Sequence, residues 1–310
     1  MSNIEVLIIS SKHDYATDYV CFELNRRSKS YVRINRDSFC EYKVSFNIQE
    51  EELTMDTVSN RYVVNNKLKS VYYRAPIYFR ETFMRKFSPE EQLYNSQWMA
   101  FIRNLTFFDN ARWMNNPIDT FRAENKLLQL KYAKSVGFKI PNTIVTNNNA
   151  FHRIGDKMAI KAIDTALFKI DNKEAFFYTN ILEEKEIRQF DINLCPIMAQ
   201  NNLEPKIDYR ITIAGQKIYS VAITENEHGV SGDWRKKKNT LKFVSCEVPN
   251  VIKKRCLELM DKFNLSFGGI DLIKYNDEFY FIEINPTGEW AWLVEAANQK
   301  VYEGISDYLI

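Results

Sequence analysis

The chain has 310 residues and a mass of 36.6 kDa, which is enough for two domains or for three small lobes that share one core. Hydrophobic residues make up 45% and charged residues 26%, which is ordinary for a globular protein and excludes a disordered or fibrous one. The net charge of +2 argues against a surface dominated by nucleic-acid binding.

Cysteines and hydrophobic runs indicate the compartment in which the protein works. The five cysteines are odd in number and form no Cys-x-x-Cys pair, so we expect reduced thiols rather than a disulfide scaffold. The apolar run near the N-terminus is too short for a signal peptide and lacks its basic flank. No stretch approaches the roughly 18–20 apolar residues of a membrane span. We therefore expect a cytoplasmic protein whose partners include neither a membrane nor a nucleic acid.

The first third of the chain predicts a small α/β lobe that ends near residue 115. The apolar run 4–9 is typical of a buried parallel strand, and a helical pattern follows it as far as Arg27. Further strands are predicted at 30–34, in a meander over 43–64, and at 69–74 before Pro76.

The middle of the chain predicts two helices and then several strands. The helices cover 89–108 and 120–136, and Gly137 ends the second one. The charged segment 180–192 favours a short helix or a loop. The predicted strands are 139–145, 157–163, 173–179 and 195–199.

The last third alternates clearly between strands and helices. Two hairpins are predicted, one with strands 208–214 and 217–223, the other with strands 268–275 and 278–284 around Asn276-Asp277. A polar loop at 225–239 and a helix at 249–263 lie between them, and the chain ends in a helical segment.

The second hairpin carries the most informative polar residues. Glu283 and Asn285 are two residues apart, so they share a face, and the turn brings Asp271 opposite Glu283. Two carboxylates and an amide oxygen on rigid strands suit Mg²⁺, which retains waters and nucleotide phosphate oxygens. The alternative is an amphipathic hairpin with a solvated polar face, but the apolar neighbours make unpaired charge there costly.

Two lysines are candidates for holding phosphates beside such a metal. Lys161 lies in the middle of an apolar strand, where its amine either reaches out to solvent or meets an anion. Lys126 lies one turn inside the predicted 120–136 helix, and its alternative role is that of a solvated surface lysine.

The connector that follows strand 195–199 could bind a nucleotide base and ribose through its backbone and side chains. Asp208 and Arg210 alternate onto one face of the next strand. An ordinary surface loop with an ion pair is the alternative. The candidate nucleotide-binding residues are Gln200, Asn201, Asn202, Glu204, Lys206 and Asp208.

Arg235 follows Asp233-Trp234 in the long loop and precedes the basic run 236–238, which is either a phosphate-binding or a solvated segment. The sequence contains neither a P-loop nor a Gly-x-Gly-x-x-Gly motif before a helix, so a nucleotide site would have to be built from strands. No Ser/His/Asp or Cys/His constellation indicates covalent catalysis.

These residues occur in the order found in ATP-grasp ligases, which the chain resembles from about residue 115 to its end. Over nearly its whole length it is similar to the microviridin-type peptide maturases, also called graspetide synthetases. Two departures are the absence of glycine from the expected phosphate flap at 164–172 and the absence of Gly-Leu-Pro-Ile near the C-terminus. The motifs that carry the resemblance are VYYRAP at 71–76, ENKLLQL at 124–130, DWR at 233–235 and GGIDLI…FIEINPTGEWAWL at 268–293.

The resemblance implies an α/β ATP-grasp fold of α+β lobes: an N-terminal lobe at 1–115, a central lobe at 116–195 and a C-terminal lobe with the metal site at 196–310. It implies a ligase that uses ATP and Mg²⁺ to phosphorylate an Asp or Glu side chain of a ribosomal precursor peptide. A Ser/Thr hydroxyl or a Lys amine then closes an ω-ester or ω-amide ring. The peptide would consist of a leader and an acidic, Thr-rich core, and the enzyme would be a homodimer.

The resemblance also implies roles for individual side chains. Asp271, Glu283 and Asn285 correspond to metal ligands, and Lys126 and Lys161 to lysines that bind the nucleotide phosphates. Arg210 and Arg235 correspond to donors that stabilise the transferred phosphoryl group, and Arg74 to a residue that holds the acidic core peptide. Two alternatives are a ligase that adds free amino acids to a protein or metabolite and an inactive peptide-binding relative.

Overall fold

The computed structural model describes residues 4–74, 87–148, 150–151, 154–164, 178–190, 193–226, 228–237 and 240–310, together with the backbone of 167–170 and 173–176. These residues form five β-sheets with helices packed around them. None of the helices within these ranges is long and apolar enough to cross a membrane.

The first third of the chain contains a four-stranded parallel sheet. Its strands are β1 (Val6–Ser10), β2 (Tyr31–Asn35), β6 (Ser70–Tyr73) and β7 (Arg112–Met114), in the order β2-β1-β6-β7. It is accompanied by helices α1 (Tyr15–Arg26) and α2 (Pro89–Asn104) and by a meander of β3 (Lys43–Asn47), β4 (Glu52–Asp56) and β5 (Arg61–Val64). The predicted β-α-β start is confirmed, whereas Pro76, expected to end β6, lies outside the described residues.

Alternate residues of β1 enter two different hydrophobic cores. Leu7 and Ile9 pack in the core beneath the meander, whereas Val6 and Ile8 pack with α1 and with side chains from the last third of the chain. A strand buried on both faces is apolar throughout, which is why the sequence predicted it as a parallel strand. Because of this second core, the first and last thirds of the chain share a hydrophobic interior.

The middle of the chain forms an antiparallel sheet. Its strands are β8 (Thr143–Thr146), β9 (Lys157–Lys161), β12 (Asn180–Glu183) and β13 (Ile197–Asn201), in the order β12-β9-β13-β8. Strands β10 (Leu167–Ile170) and β11 (Lys173–Phe176) form a separate two-stranded sheet. Helix α5 (Glu184–Ile187) lies within the segment 180–192, for which a short helix or a loop was predicted, whereas strand β12 was not predicted there. Parts of the glycine-free flap at 164–172, namely 165–166 and 171–172, lie outside the described residues.

The single helix predicted over 120–136 is wrong, because the structure divides it into α3 (Pro117–Ala123) and α4 (Lys126–Ser135). Asn125 has extended backbone angles, and its side chain accepts a hydrogen bond from the Leu128 N–H at 3.0 Å. An asparagine in this position caps a helix N-terminus. Lys126 is therefore the first residue of α4 rather than a residue one turn inside a longer helix.

The last third forms a five-stranded antiparallel sheet that carries most of the candidate acidic residues. Both predicted hairpins are confirmed, and Asp271 pairs with Glu283 across the second. Asn276 and Asp277 both have positive φ angles, as a tight hairpin turn requires. The elements are β14 (Ile207–Ala214), β15 (Lys217–Glu225), β16 (Leu241–Ser245), α6 (Asn250–Phe263), β17 (Phe267–Tyr275), β18 (Glu278–Asn285), α7 (Trp292–Ala297) and α8 (Val301–Leu309), with sheet order β16-β15-β14-β17-β18.

Candidate active site

A cleft of about 270 Å³ lies between the antiparallel sheet of the middle segment and the five-stranded sheet. Residues of β9 and β13 line one side of it, and residues of β17 and β18 line the other. The residues predicted from the sequence that line this cleft are Lys126, Lys161, Gln200, Asn201, Asn202, Lys206, Asp208, Arg235, Asp271, Glu283 and Asn285.

Two carboxylates on adjacent strands form the centre of the site, and three cationic side chains contact them. Arg210 and Arg235 each donate to Asp271 at 2.9 Å, one to each carboxylate oxygen. Lys126 lies 2.9 Å from the other carboxylate, that of Glu283, and Arg235 lies 3.4 Å from it. The second hairpin places the two acids, and Lys126 at the start of α4 supplies one cation. Strand β14 supplies Arg210, and the loop between β15 and β16 supplies Arg235.

Electrostatics distinguishes the two carboxyl groups. Burial raises the pKa of Glu283, but the charges of Lys126 and Arg235 outweigh burial and hold the pKa of that carboxyl well below its usual range. For Asp271 burial dominates, and its pKa is raised despite the neighbouring arginines. A second carboxylate so close to the first adds to the rise, because like charges oppose each other's ionisation.

The donor set fits a magnesium ion. Within the described ranges no group of three or more His, Cys, Asp and Glu side chains is arranged to hold a metal ion by itself. Magnesium is ordinarily held by one or two carboxylates together with nucleotide phosphates and water. Asp271 and Glu283 supply such a pair, and Asn285 follows on the same strand with its side chain 3.4 Å from Glu283.

Lys161 lies at the end of β9, on the opposite side of the cleft from the acidic pair. Burial lowers the pKa of Lys161 to about 8, against the opposing effect of the Glu283 carboxylate. An anion that enters the cleft would favour the charged form of this amine and raise its pKa again.

The segment after β13 combines cleft-lining residues with structural ones. Gln200 donates to the Thr143 hydroxyl at 3.0 Å, and the Asn201 side chain accepts from the Asn142 N–H at 2.6 Å. Asn202 donates to Glu204 at 3.1 Å. Both Gln200 and Asn201 line the cleft, and these hydrogen bonds to residues at the start of β8 hold their side chains in place.

Glu204 does not line the cleft, in contrast to its predicted place beside the nucleotide. Its carboxylate accepts hydrogen bonds from the Ser231 hydroxyl at 3.1 Å and the Gly232 N–H at 2.7 Å. The same loop lies so close to the start of β14 that a Cβ on Gly229 would be 1.5 Å from the Lys206 carbonyl oxygen. Glu204 thus anchors this loop against the strand.

The Asp233-Trp234-Arg235 motif forms a short 3₁₀ turn that places Arg235 over the acidic pair. The Asp233 side chain accepts from the Arg235 N–H at 3.0 Å and from the Thr179 N–H at 3.2 Å, and the Arg235 guanidinium lies 4.9 Å from the Trp234 ring centre. The basic residues that follow have structural contacts: Lys236 donates to Asn180. Lys238 lies outside the described residues.

The structure does not bring Arg74 to the cleft. Arg74 comes directly after β6 and is 6% exposed. Its guanidinium donates to the Thr287 carbonyl, to the Gly288 carbonyl at 3.3 Å and to Glu289 at 2.6 Å. Its Nε also lies 3.3 Å from Asp14. Arg74 therefore contacts the chain segment that follows Asn285.

Sequence reasoning missed two buried polar residues that contact the strand end carrying the candidate metal ligands. Gln129 is 3% exposed and bonds to the backbone of Ile284, and Asn115 is 2% exposed and bonds to Pro286. The only signal in the sequence was a glutamine on the apolar side of a short helix and an asparagine next to a predicted break. Neither observation indicates which strand such a residue contacts.

Comparisons with known proteins place this fold among ATP-grasp enzymes. No protein-family model and no curated protein matches the sequence. Among solved structures, one that the chain resembles is a RiPP-associated ATP-grasp ligase from Chryseobacterium gregarium in complex with ADP and a leader and core peptide. The two chains are 27% identical with a TM-score of 0.83, and the match covers 100% of this chain and 96% of the ligase. The macrocyclase MdnC of Microcystis aeruginosa, bound with the precursor peptide MdnA, is 25% identical with a TM-score of 0.83 over 98% of both chains.

More distant structures share the fold alone. D-cycloserine synthetase DcsG has a TM-score of 0.56 at 11% identity over 98% of this chain and 100% of its own. The two-sheet cleft and the acidic strand pair accompany full-length likenesses at 25–27% identity to ATP-grasp enzymes, so the chain has the fold of the ATP-grasp ligases. Two of the structures that it resembles, at 27% and 25% identity, are a RiPP-associated ligase and a macrocyclase, in agreement with the resemblance seen in the sequence.

Proposed function

We propose that the chain is an ATP-dependent, ADP-forming macrocyclase that acts on a ribosomal precursor peptide. The observation that carries this proposal is the full-length likeness, at 27% identity, to a ligase solved with ADP, a leader and a core peptide. The substrate groups are an Asp or Glu side chain and a Ser/Thr hydroxyl or Lys amine of the same peptide, and the products are ω-ester or ω-amide rings.

ATP and Mg²⁺ are the cofactors that the cleft residues would hold. Asp271, Glu283 and Asn285 are proposed to bind Mg²⁺, which supplies positive charge to the nucleotide phosphate oxygens. Lys126 and Lys161 are proposed to bind the phosphates, since both line the cleft. The base and ribose would lie along Gln200, Asn201, Asn202, Lys206 and Asp208, with Glu204 holding the adjacent loop.

The reaction requires one anion to approach another. A peptide carboxylate oxygen attacks the γ-phosphorus of ATP, the bond to ADP breaks, and the peptide carries an acyl phosphate. A hydroxyl or amine of the peptide then attacks the acyl carbon and loses its proton, and inorganic phosphate leaves. Arg210 and Arg235 lie beside the acidic pair with forked donors, and we propose that they hold the carboxylate and the transferred phosphoryl group in place.

The peptide partner is proposed to be a precursor with a leader and an acidic, Thr-rich core. We further propose that the enzyme works in the cytoplasm as a homodimer with lobes 1–115, 116–195 and 196–310. Sedimentation of the purified protein tests the dimer: a single monomer mass at micromolar concentration would contradict it.

Co-expression with a short peptide encoded beside the gene tests the function. The proposal predicts that the peptide loses the mass of one water for every ring formed, as measured by mass spectrometry. A gain of mass equal to an added amino acid would instead favour a ligase of free amino acids. An unmodified peptide in the presence of ATP and Mg²⁺ would contradict both activities for that substrate.

A further inference from the structure

A glutamine of helix α4 holds the backbone of the strand that carries two of the candidate metal ligands. Gln129 is buried, and its amide donates to the Ile284 carbonyl at 2.8 Å and accepts from the Ile284 N–H at 3.1 Å. Strand β18 is the edge strand of its sheet, and among the described residues an isolated bridge between Tyr280 and Lys139 is the backbone pairing found along its outward edge. At Ile284 the side-chain amide of Gln129 makes the two hydrogen bonds that a neighbouring strand would otherwise make.

That residue lies directly between Glu283 and Asn285. Neighbouring side chains of a strand point to opposite faces, so fixing the peptide groups of Ile284 fixes the direction of the residues on either side of it. Helix α4 also provides Lys126, three residues before Gln129, which lies 2.9 Å from Glu283. One face of α4 therefore contacts both the backbone and the carboxylate of this strand end.

The chain beyond Asn285 is held from the other side. Asn115, at the end of β7, donates to the Pro286 carbonyl at 2.9 Å and to the Phe267 carbonyl at 2.8 Å. Arg74, at the end of β6, holds the Thr287 and Gly288 carbonyls and Glu289. Buried polar side chains from outside the sheet thus fix the segment both before and after the amide ligand.

We propose that Gln129 is a positioning residue for the metal site, with Arg74 serving the same purpose on the far side of Asn285. This inference rests on the proposed function, because it takes Glu283 and Asn285 as metal ligands. Residues that orient metal ligands by hydrogen bonds affect metal affinity without touching the metal. The arrangement gives Arg74 a purpose other than peptide contact, since its guanidinium is occupied by the ligand-bearing segment.

The test measures Mn²⁺ bound to the full chain in the presence of ADP, by electron paramagnetic resonance. Gln129→Met keeps the size of the side chain but removes both contacts with Ile284, and we expect Mn²⁺ affinity to fall by about 10–100-fold. Gln129→Glu retains an acceptor for the Ile284 N–H and should lose less. Faster amide hydrogen exchange at Ile284 in Gln129→Met, which has no acceptor for that N–H, is the accompanying readout.

The control is Glu23→Gln, which weakens the ion pairs of the buried Glu23 with Arg26 and Arg27 at the C-terminal end of α1, away from the cleft. It is expected to lower the melting temperature and leave Mn²⁺ affinity unchanged. Wild-type Mn²⁺ affinity in folded Gln129→Met or Gln129→Glu would overturn the inference while leaving the proposed metal site intact. Absence of Mn²⁺ binding by the unaltered chain with ADP would contradict the metal site itself and the inference with it.

Arg74→Lys tests the second side of the segment. Lysine has a single charged group and cannot reproduce the forked contacts of arginine, so Mn²⁺ affinity should fall as it does for Gln129→Glu. Unchanged Mn²⁺ affinity with a raised KM for the precursor peptide would contradict the positioning role of Arg74 and restore a role in peptide contact.

Discussion

Gly269→Ala places a methyl group directly beneath the guanidinium of Arg210. A Cβ built on Gly269 would lie 2.9 Å from Nη1, 3.1 Å from Cζ and 3.4 Å from Nε of Arg210. The guanidinium would have to retreat by roughly 0.5 Å to reach ordinary van der Waals separation. Arg210 is 6% exposed and donates to Asp271 at 2.9 Å, so little free space remains for it to move without lengthening that hydrogen bond.

The size of the expected effect follows from that contact. A hydrogen bond between charged groups contributes about 1.5–3 kcal/mol, and each 1.4 kcal/mol lost from the transition state slows a reaction about tenfold. We therefore expect kcat for ring formation to fall by about 10–100-fold. Overpacking should also lower the free energy of unfolding by about 1–3 kcal/mol.

The assay is the rate of peptide dehydration by mass spectrometry, with unfolding by urea measured in parallel. Gly268→Ala is the matched control, because its added Cβ would meet the flexible ends of Met260 and Ile284, at 3.2 and 3.3 Å, on the other face of the strand. It should affect stability and leave kcat nearly unchanged. A Gly269→Ala enzyme with wild-type kcat would refute the assignment of Arg210 to the reaction.

Three further predictions concern the cleft. Glu283→Gln should abolish ring formation because it removes a formal charge that is proposed to bind the metal, and the affinity for the precursor, measured by fluorescence anisotropy, should not change. Dehydration of the peptide near the wild-type rate in millimolar Mg²⁺ would contradict the metal assignment. Because the pKa of Lys161 is lowered to about 8, this amine is charged below that pH and neutral above it. The affinity for ATP should therefore fall as the pH rises through 8, and ATP binding near pH 8 should be accompanied by uptake of a proton. Calorimetry in two buffers of different ionisation enthalpy measures that uptake, and a Lys161→Met enzyme with the same pH dependence would exclude Lys161 as its source. Gly229→Ala should lower the free energy of unfolding by about 3 kcal/mol or more in urea unfolding, since its Cβ would overlap the Lys206 carbonyl oxygen, and unchanged stability would show that the loop lies elsewhere.

The acidic hairpin could be predicted because local rules determine it. Alternation along the strands and the turn at Asn276-Asp277 require only neighbouring residues, and they place Asp271 opposite Glu283 as observed. The boundary at Asn125 was harder, because a helical pattern continues through it and only the cap divides the two helices. Strand β12 escaped prediction because its residues are half-buried and show no clear alternation.

Contacts between distant segments could not be predicted from the sequence. The Gln129 bond to Ile284 joins residues 155 positions apart, and the Arg74 bond to Glu289 joins residues 215 apart. The rule that ligands bind at the carboxyl ends of parallel strands directed Arg74 toward a substrate. In the structure Arg74, just after that strand, contacts residues 287–289 of the chain itself, and these contacts could not be foreseen from the rule.

Transfer of oxygen from the peptide carboxylate to phosphate tests the central claim most directly. A precursor whose Asp and Glu side chains carry oxygen-18 is incubated with the enzyme, ATP and Mg²⁺, and both the peptide and the released phosphate are analysed by mass spectrometry. Carboxylate phosphorylation predicts one oxygen-18 atom in inorganic phosphate for each ring closed and each water lost. Ring closure with unlabelled phosphate, or ATP hydrolysis with no loss of water from the peptide, would contradict the account.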